Sequence, residues 1–369
     1  METRPIIVMA GLAALWIVVG SSRADEPLPR LKDVFKDDFL IGGALNRNLV
    51  TGRDPNAAAI AETQLSTATP ENDMKWDSIH PQIDRYNWEP ADRFVTFCEK
   101  NRIVPIGHCL VWHSQVPRWV FRDNEGNPLT RDALLERLHD HIRNVVGRYK
   151  GRIKGWDVVN EALNDDGTMR NSPWLQIIGQ GDEGKKYDVI EQAFRSAHEA
   201  DPDAELYYND YSLSTKREKC DAAVAIVRHL QSKGVRIDGV GMQLHGGLTW
   251  PEPNDLEYAI TALAATGVKV MVTELDIRTQ QFGYRGADVS QVRRQSGAEA
   301  DPETQKKLAD QYAEIFKILL AHKKDIARVT FWGVYDATSW IGGSPLLFDR
   351  NYRPKEAFFA VVEAARERP

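Results

Sequence analysis

The side chains best suited to chemistry are Glu161 and Glu274, each placed directly after a short apolar run that reads as a strand. Other polar and aromatic residues stand at equivalent places. They include His108, Trp112 and His113; Asn160; Asn209, Asp210 and Tyr211; Gln243 and His245; Asp276; and Trp332. A single glutamate after a strand is as readily a paired surface charge as a catalyst. Six strand ends carrying such residues in one chain point to a common site. Two carboxylic acids at one mouth suit hydrolysis of a glycosidic bond. One must hold a proton for the departing oxygen; the other must stay ionised against an oxocarbenium-like centre.

The elements that position these residues alternate in kind. Strands are predicted at 39–44, 65–69, 104–108, 155–159, 205–208, 239–244, 268–273 and 328–332. Helical patterns are predicted at 56–64, 91–101, 131–149, 187–199, 216–233, 255–266, 302–322 and 355–366. Repeated β-then-α units imply a parallel sheet, and eight such pairs make an α/β fold, a single (β/α)8 TIM barrel, the economical reading. Long segments at 109–130 and 160–186 follow the third and fourth strands. Barrel enzymes build their sites from such loops at the carboxyl ends of strands.

The first residues read differently. From Ile6 to Val19 the chain is almost wholly apolar, with Arg4 before it and the small residues Gly20, Ser21, Ser22 and Ala24 after it. That pattern predicts a secretory signal cleaved after Ala24. The run is short for a membrane span, which needs about 20 apolar residues, although Glu2 offsets Arg4 and leaves an uncleaved anchor as the alternative. Residues 25–369 then form one catalytic domain, with no linker or low-complexity run to mark an appended module. The formal net charge is −6. This mildly acidic balance disfavours nucleic acid or an anionic membrane as partner, because both select basic patches. A neutral polysaccharide remains compatible. Cys98, Cys109 and Cys220 form no metal knuckle and no disulfide framework. They read as small buried hydrophobes, with one disulfide open in an oxidising compartment.

The motifs resemble those of family ten glycoside hydrolases, the xylanases. The run Trp156-Asp157-Val158-Val159-Asn160-Glu161-Ala162 is similar to that family's acid/base strand, and Thr273-Glu274-Leu275-Asp276 to its nucleophile strand. The likeness extends through 71–76, 107–115, 208–211, 241–245, 331–334 and 345–349, in the family's order over roughly residues 30–365. It implies a secreted retaining endo-β-1,4-xylanase that acts on xylan as a monomer, without metal, cofactor or stable membrane association. Glu161 then matches the acid/base and Glu274 the nucleophile. Asn160 matches the residue that bonds the sugar 2-hydroxyl, and His245 with Asp276 the pair that orients the nucleophile. Glu71, Asn72, Lys75, His108, Trp112 and Gln115 match the glycone pocket, Tyr211 and Gln243 polar groups near the cleavage point, and Trp332 and Trp340 aromatic walls.

Departures from the family pattern are few. Ile341 follows Trp340 where a basic residue is usual, and the segment 277–301, with Arg278, Arg285, Arg293 and Arg294, has no match. Trp76, Trp88, Trp119 and Trp156 read as packing residues. His139, His141, His198, His229 and His322, on helix patterns, read as surface residues. Arg148, Lys150, Arg152 and Lys154 read as a solvated basic face. Three rival functions stand beside the main one: the same chemistry on β-1,4-glucan, a metal-dependent hydrolase using His108, His113, His245 and Asp276, and a glycan-binding protein without catalysis.

Overall fold

A computed structural model describes residues 27–179, 185–280 and 299–367. The predicted signal at 1–24 lies outside the described residues, as do Arg285, Arg293 and Arg294. Eight strands form the barrel: β1 (Leu40–Leu45), β2 (Thr67–Pro70), β3 (Val104–Val111), β4 (Gly155–Asn160), β5 (Glu205–Asp210), β6 (Gly239–Met242), β7 (Lys269–Arg278) and β8 (Ile326–Phe331). Every neighbouring pair is parallel, and β8 returns to β1 through the register Leu40↔Arg328 to Gly43↔Phe331. The ring is therefore closed, and none of its strands presents an open edge.

Eight helices follow the strands in order: α1 (Pro55–Gln64), α2 (Glu89–Asn101), α3 (Arg131–Arg148), α4 (Asp188–Ala200), α5 (Arg217–Ser232), α6 (Pro253–Ala264), α7 (Pro302–Ala321) and α8 (Glu356–Arg366). Their starts are written locally. Asp54 and Asp301 accept hydrogen bonds from Ala57 N and Thr304 N, each followed by proline at the first helical position. The cap satisfies an orphan amide, and proline's fixed φ suits the first turn. Apolar stripes then bury against the barrel, as Leu134, Leu138, Ile142, Val145 and Val146 do on α3.

Side chains fill the barrel. Near its amino-terminal end Ile106, Tyr207 and Met271 pack together with Ala327. Gly107 makes room for a neighbour: a Cβ there would lie 2.1 Å from the Trp156 ring. The observed strands β3, β4 and β7 run past the predicted ends. In β7 the extension is paired: the short strand His245–Gly247 lies parallel to it with His245 opposite Asp276.

One expectation is corrected and another is borne out. His141 is not a surface residue but fully buried, because its place on α3 falls on the apolar stripe between Leu138 and Val145. Cys98, Cys109 and Cys220 are all buried free thiols, so none of them forms a disulfide. Trp76 and Trp156 are buried, as packing residues should be. In the basic run, Arg148, Arg152 and Lys154 pair with Asp92, Glu99 and Glu205.

Candidate active site

The cleft at the carboxyl ends of the strands has a volume of about 220 Å³. Glu161 and Glu274 both line it, and both are nearly inaccessible, at 4% and 5% exposure. Glu161 follows β4 with a left-handed φ of 57°. A non-glycine residue in that conformation carries strain that its surroundings must hold. Its amide donates to Asn209 O at 2.9 Å, and its carbonyl accepts from Arg170 Nε at 3.0 Å.

The two carboxyls sit in different surroundings. Glu161 accepts neutral hydrogen bonds, from Gln243 Nε2 to Oε1 at 2.9 Å and from Trp112 Nε1 to Oε2 at 2.8 Å. Burial pushes its pKa up, with help from the charge of Glu274, and these donors only partly offset the rise. Glu274 accepts from Asn209 Nδ2 at 2.8 Å and faces His245 Nε2 at 3.3 Å. Burial works to raise its pKa too. The His245 and Asn209 hydrogen bonds and the nearby imidazole charge outweigh burial, and the net direction is down.

His245 is held between two carboxylates, with Nδ1 2.9 Å from Asp276 Oδ1. Burial opposes its charge, but Asp276 and Glu274 raise its pKa to about 9. It is therefore an imidazolium at neutral pH and donates from both nitrogens. Asp276 uses its second oxygen to accept from Trp340 Nε1 at 2.7 Å.

On the opposite side, Lys75 Nζ donates to Asn72 Oδ1 at 3.0 Å and to Gln115 Oε1 at 2.9 Å, and it lies 4.9 Å from the centre of the Trp112 ring. His108 packs edge-on against Trp332 at 5.3 Å and holds Asp157 Oδ2 through Nδ1 at 2.9 Å. The cleft is thus lined by Glu71, Asn72, Lys75, His108, Trp112 and Gln115, together with Asn160, Gln243, His245, Glu274, Trp332 and Trp340.

Two residues expected at the site lie off its surface. Asp276 sits behind His245 and is wholly buried. Tyr211 is buried: its hydroxyl accepts from Arg170 Nη2 at 2.5 Å and its ring lies 3.2 Å from Lys219 Nζ. Asn209 stands closer to the chemistry than either, since the same Nδ2 that serves Glu274 also reaches Asn160 Oδ1 at 2.8 Å. Its position at the end of β5 was the signal for it. Asp157 and Trp174 lacked such a signal. Asp157 lies mid-strand, and Trp174 acts from α-helical residues 173–178 by donating to Trp112 O at 2.8 Å. Among the described residues, no three His, Cys, Asp or Glu side chains converge in a way that could hold a metal ion.

A parallel barrel with two buried, oppositely tuned carboxyls in one cleft defines the class of barrel glycoside hydrolases. Residues 30–364 match the family model of glycosyl hydrolase family 10, and the chain belongs to that family. It is 44% identical over 354 residues to endo-1,4-beta-xylanase A of Xylanibacter ruminicola, covering 91% of this chain and 93% of the relative. Among solved structures, a GH10 endoxylanase from a sugarcane soil metagenome superimposes with a TM-score of 0.82 at 40% identity, covering 90% of this chain and 99% of that one. An intracellular xylanase of Thermoanaerobacterium saccharolyticum gives a TM-score of 0.80 at 36% identity, with 90% and 98% covered.

Proposed function

We propose that the protein is a retaining endo-β-1,4-xylanase that cleaves internal bonds of xylan by double displacement. Glu161 is the acid/base and Glu274 the nucleophile. The observation that carries this reading is the opposite tuning of two carboxyls in one cleft. Glu161, raised by burial and hydrogen-bonded by the neutral donors Gln243 and Trp112, keeps a proton to give to the departing oxygen. Glu274, beside the His245 imidazolium, stays ionised to attack the anomeric carbon. A covalent glycosyl-enzyme forms, and Glu161, now ionised, draws a proton from the water that hydrolyses it.

Asn160 lines the cleft where the sugar 2-hydroxyl would lie, and the buried Asn209 behind it orients both Asn160 and Glu274. Trp332 and Trp340 offer flat rings to the apolar sugar faces. Glu71, Asn72, Lys75, His108 and Gln115 bind the glycone side. The family and the named relatives support xylan as the polymer, with β-1,4-glucan the closest competitor. Residues 1–24 support export with cleavage after Ala24. The intracellular relative marks that destination as a property of each chain rather than of the fold.

The experiment is hydrolysis of xylan and of β-1,4-glucan side by side, with the first anomer formed from xylohexaose followed by proton NMR. Xylan is expected to be cut faster, releasing the β-anomer first. An α-anomer as first product overturns the double displacement, and faster cleavage of glucan overturns the substrate.

A further inference from the structure

In its first turn α5 carries a lysine that is wholly buried. Lys219 is 0% exposed, and its Nζ lies 2.9 Å from Asp210 Oδ1 and 3.5 Å from Asp165 Oδ1. The same nitrogen is 3.2 Å from the centre of the Tyr211 ring. Lysines on helices ordinarily carry the ammonium out to water along an apolar stem. One kept inside needs carboxylates and an aromatic face in place of its hydration shell. Asp210 and Tyr211 supply these from the end of β5, and Asp165 from the segment that follows Glu161.

Two lines of contact run from Lys219 to the backbone around Glu161. In the first, Asp210 Oδ2 accepts from Leu163 N at 3.3 Å and from the Tyr208 hydroxyl. In the second, the Tyr211 hydroxyl accepts from Arg170 Nη2, and Arg170 Nε donates to Glu161 O at 3.0 Å. The intervening segment folds back on itself, with Leu163 bridged to Met169 and Arg170 N donating to Ala162 O at 2.8 Å. Gly167, at a φ of 80°, seats that segment directly on α5: a Cβ there would lie 2.6 Å from Glu218 O.

Glu161 needs such a grip because its left-handed φ of 57° persists only where the surroundings over-determine it. Gln243 and Trp112 hold the carboxyl, but the backbone decides where that carboxyl can reach. A general acid must stand within hydrogen-bond distance of the oxygen it protonates.

We propose that Lys219 is a positioning residue for the acid/base, anchoring both lines of contact so that Glu161 presents its carboxyl to the departing oxygen. It acts through Asp210, Tyr211 and Arg170 and does not touch the sugar. The role rests on the reading of Glu161 as acid/base. Loss of Lys219 should therefore matter in proportion to how much the leaving group needs a proton. A lysine that merely stabilised the barrel would affect all leaving groups alike.

The test compares kcat/KM of wild type and Lys219→Met on aryl xylobiosides that release phenol or dinitrophenol. With phenol, which needs protonation, the variant should fall about 10- to 100-fold, the cost of a misplaced acid. With dinitrophenol it should stay within about threefold of wild type. In a Glu161→Ala background Lys219→Met should add less than about twofold on either substrate, because the group it positions is gone. Equal losses on both leaving groups, or a full further loss in the Glu161→Ala background, would overturn the proposal. Lys219→Met with Asp210→Asn leaves no unpaired buried charge and should show the same split if the single variant does not fold. Failure of both to fold would assign the pair to the barrel as a whole and overturn the specific role. A wild type that cleaves aryl cellobiosides in place of xylobiosides overturns the substrate reading instead, and the two leaving groups on cellobiose then test Lys219 in the same way.

Discussion

Trp340 and Glu274 are connected through two intermediaries: the indole N–H donates to Asp276, Asp276 holds His245 Nδ1, and His245 Nε2 faces the Glu274 carboxylate. Trp340 is therefore both a wall of the cleft and the end of a hydrogen-bond chain. Trp340→Phe keeps most of the wall and removes the donor. A hydrogen bond to a charged group is worth about 1.5–3 kcal/mol, so kcat/KM should fall roughly tenfold or more. Trp340→Ala should fall further and also narrow the ratio of xylan to glucan activity, since pocket contacts discriminate by only about 1–3 kcal/mol. Kinetics of both variants on both polymers checks this. An unchanged ratio for the alanine variant would remove Trp340 from specificity.

The two glutamates should separate by leaving group. Glu274→Ala should lose activity by orders of magnitude on every substrate, because the first covalent step is gone. Glu161→Ala should still form the glycosyl-enzyme from an aryl xylobioside with an activated phenol, and that intermediate should accumulate. Azide should rescue it and give the β-glycosyl azide, whereas Glu274→Ala with azide should give the α-azide. Reversed products would exchange the roles.

The pH profile should have independent limbs. Activity falls on the acid side as Glu274 takes up a proton and on the basic side as Glu161 loses one. Asn209 lowers the Glu274 pKa by donating to it. Asn209→Ala should therefore move the acid limb of kcat/KM upward and leave the basic limb in place. Gln243 lowers the Glu161 pKa in the same way, so Gln243→Leu should move the basic limb upward. Movement of the opposite limb in either variant would contradict the assignment.

A stability prediction comes from outside the cleft. His80 and His141 face each other Nδ1 to Nδ1 at 3.1 Å, and His141 stacks on Trp76 at 3.6 Å. Burial pushes both pKa values below the ordinary 6.5, and for His141 far below. The unfolded chain then binds protons that the folded pair refuses. Stability is full above about pH 6.5 and declines as pH falls through the depressed folded values. His141→Phe should flatten the dependence of the urea midpoint on pH below 6.5. An equally steep decline in that variant would place the acid sensitivity elsewhere.

Much of the fold was legible because parallel strands buried on both faces read as short apolar runs, and helix starts such as Asp54-Pro55 and Asp301-Pro302 are written locally. Glu161 and Glu274 were legible for the same reason: each interrupts the end of such a run. The His80–His141 contact was not, since it joins residues 61 positions apart. The spacing Leu134, Leu138, His141, Val145 nevertheless marks His141 as facing inward. Arg328 on β8 shares its strand face with Thr330 two positions on, which marks it as interior. The partner that makes that placement tolerable, Asp157 at 3.6 Å, is visible only once the barrel is closed.

That closure has a consequence for how the protein could be divided or assembled. The cleft draws side chains from β2, β3, β4, β6, β7 and β8 and the segments that follow them, and the last pairing to complete the ring joins β8 to β1 across most of the chain. Both glutamates and their donors Trp112, Asn209, Gln243 and His245 fall within residues 112–274, but that stretch leaves out β1, β2, β3 and β8. A chain stopped short of Ile326 would have Glu274 but leave β1 and β7 as open edges that invite other strands. Catalytic turnover in such a protein is a report on topology: it registers only molecules whose first and last strands have met.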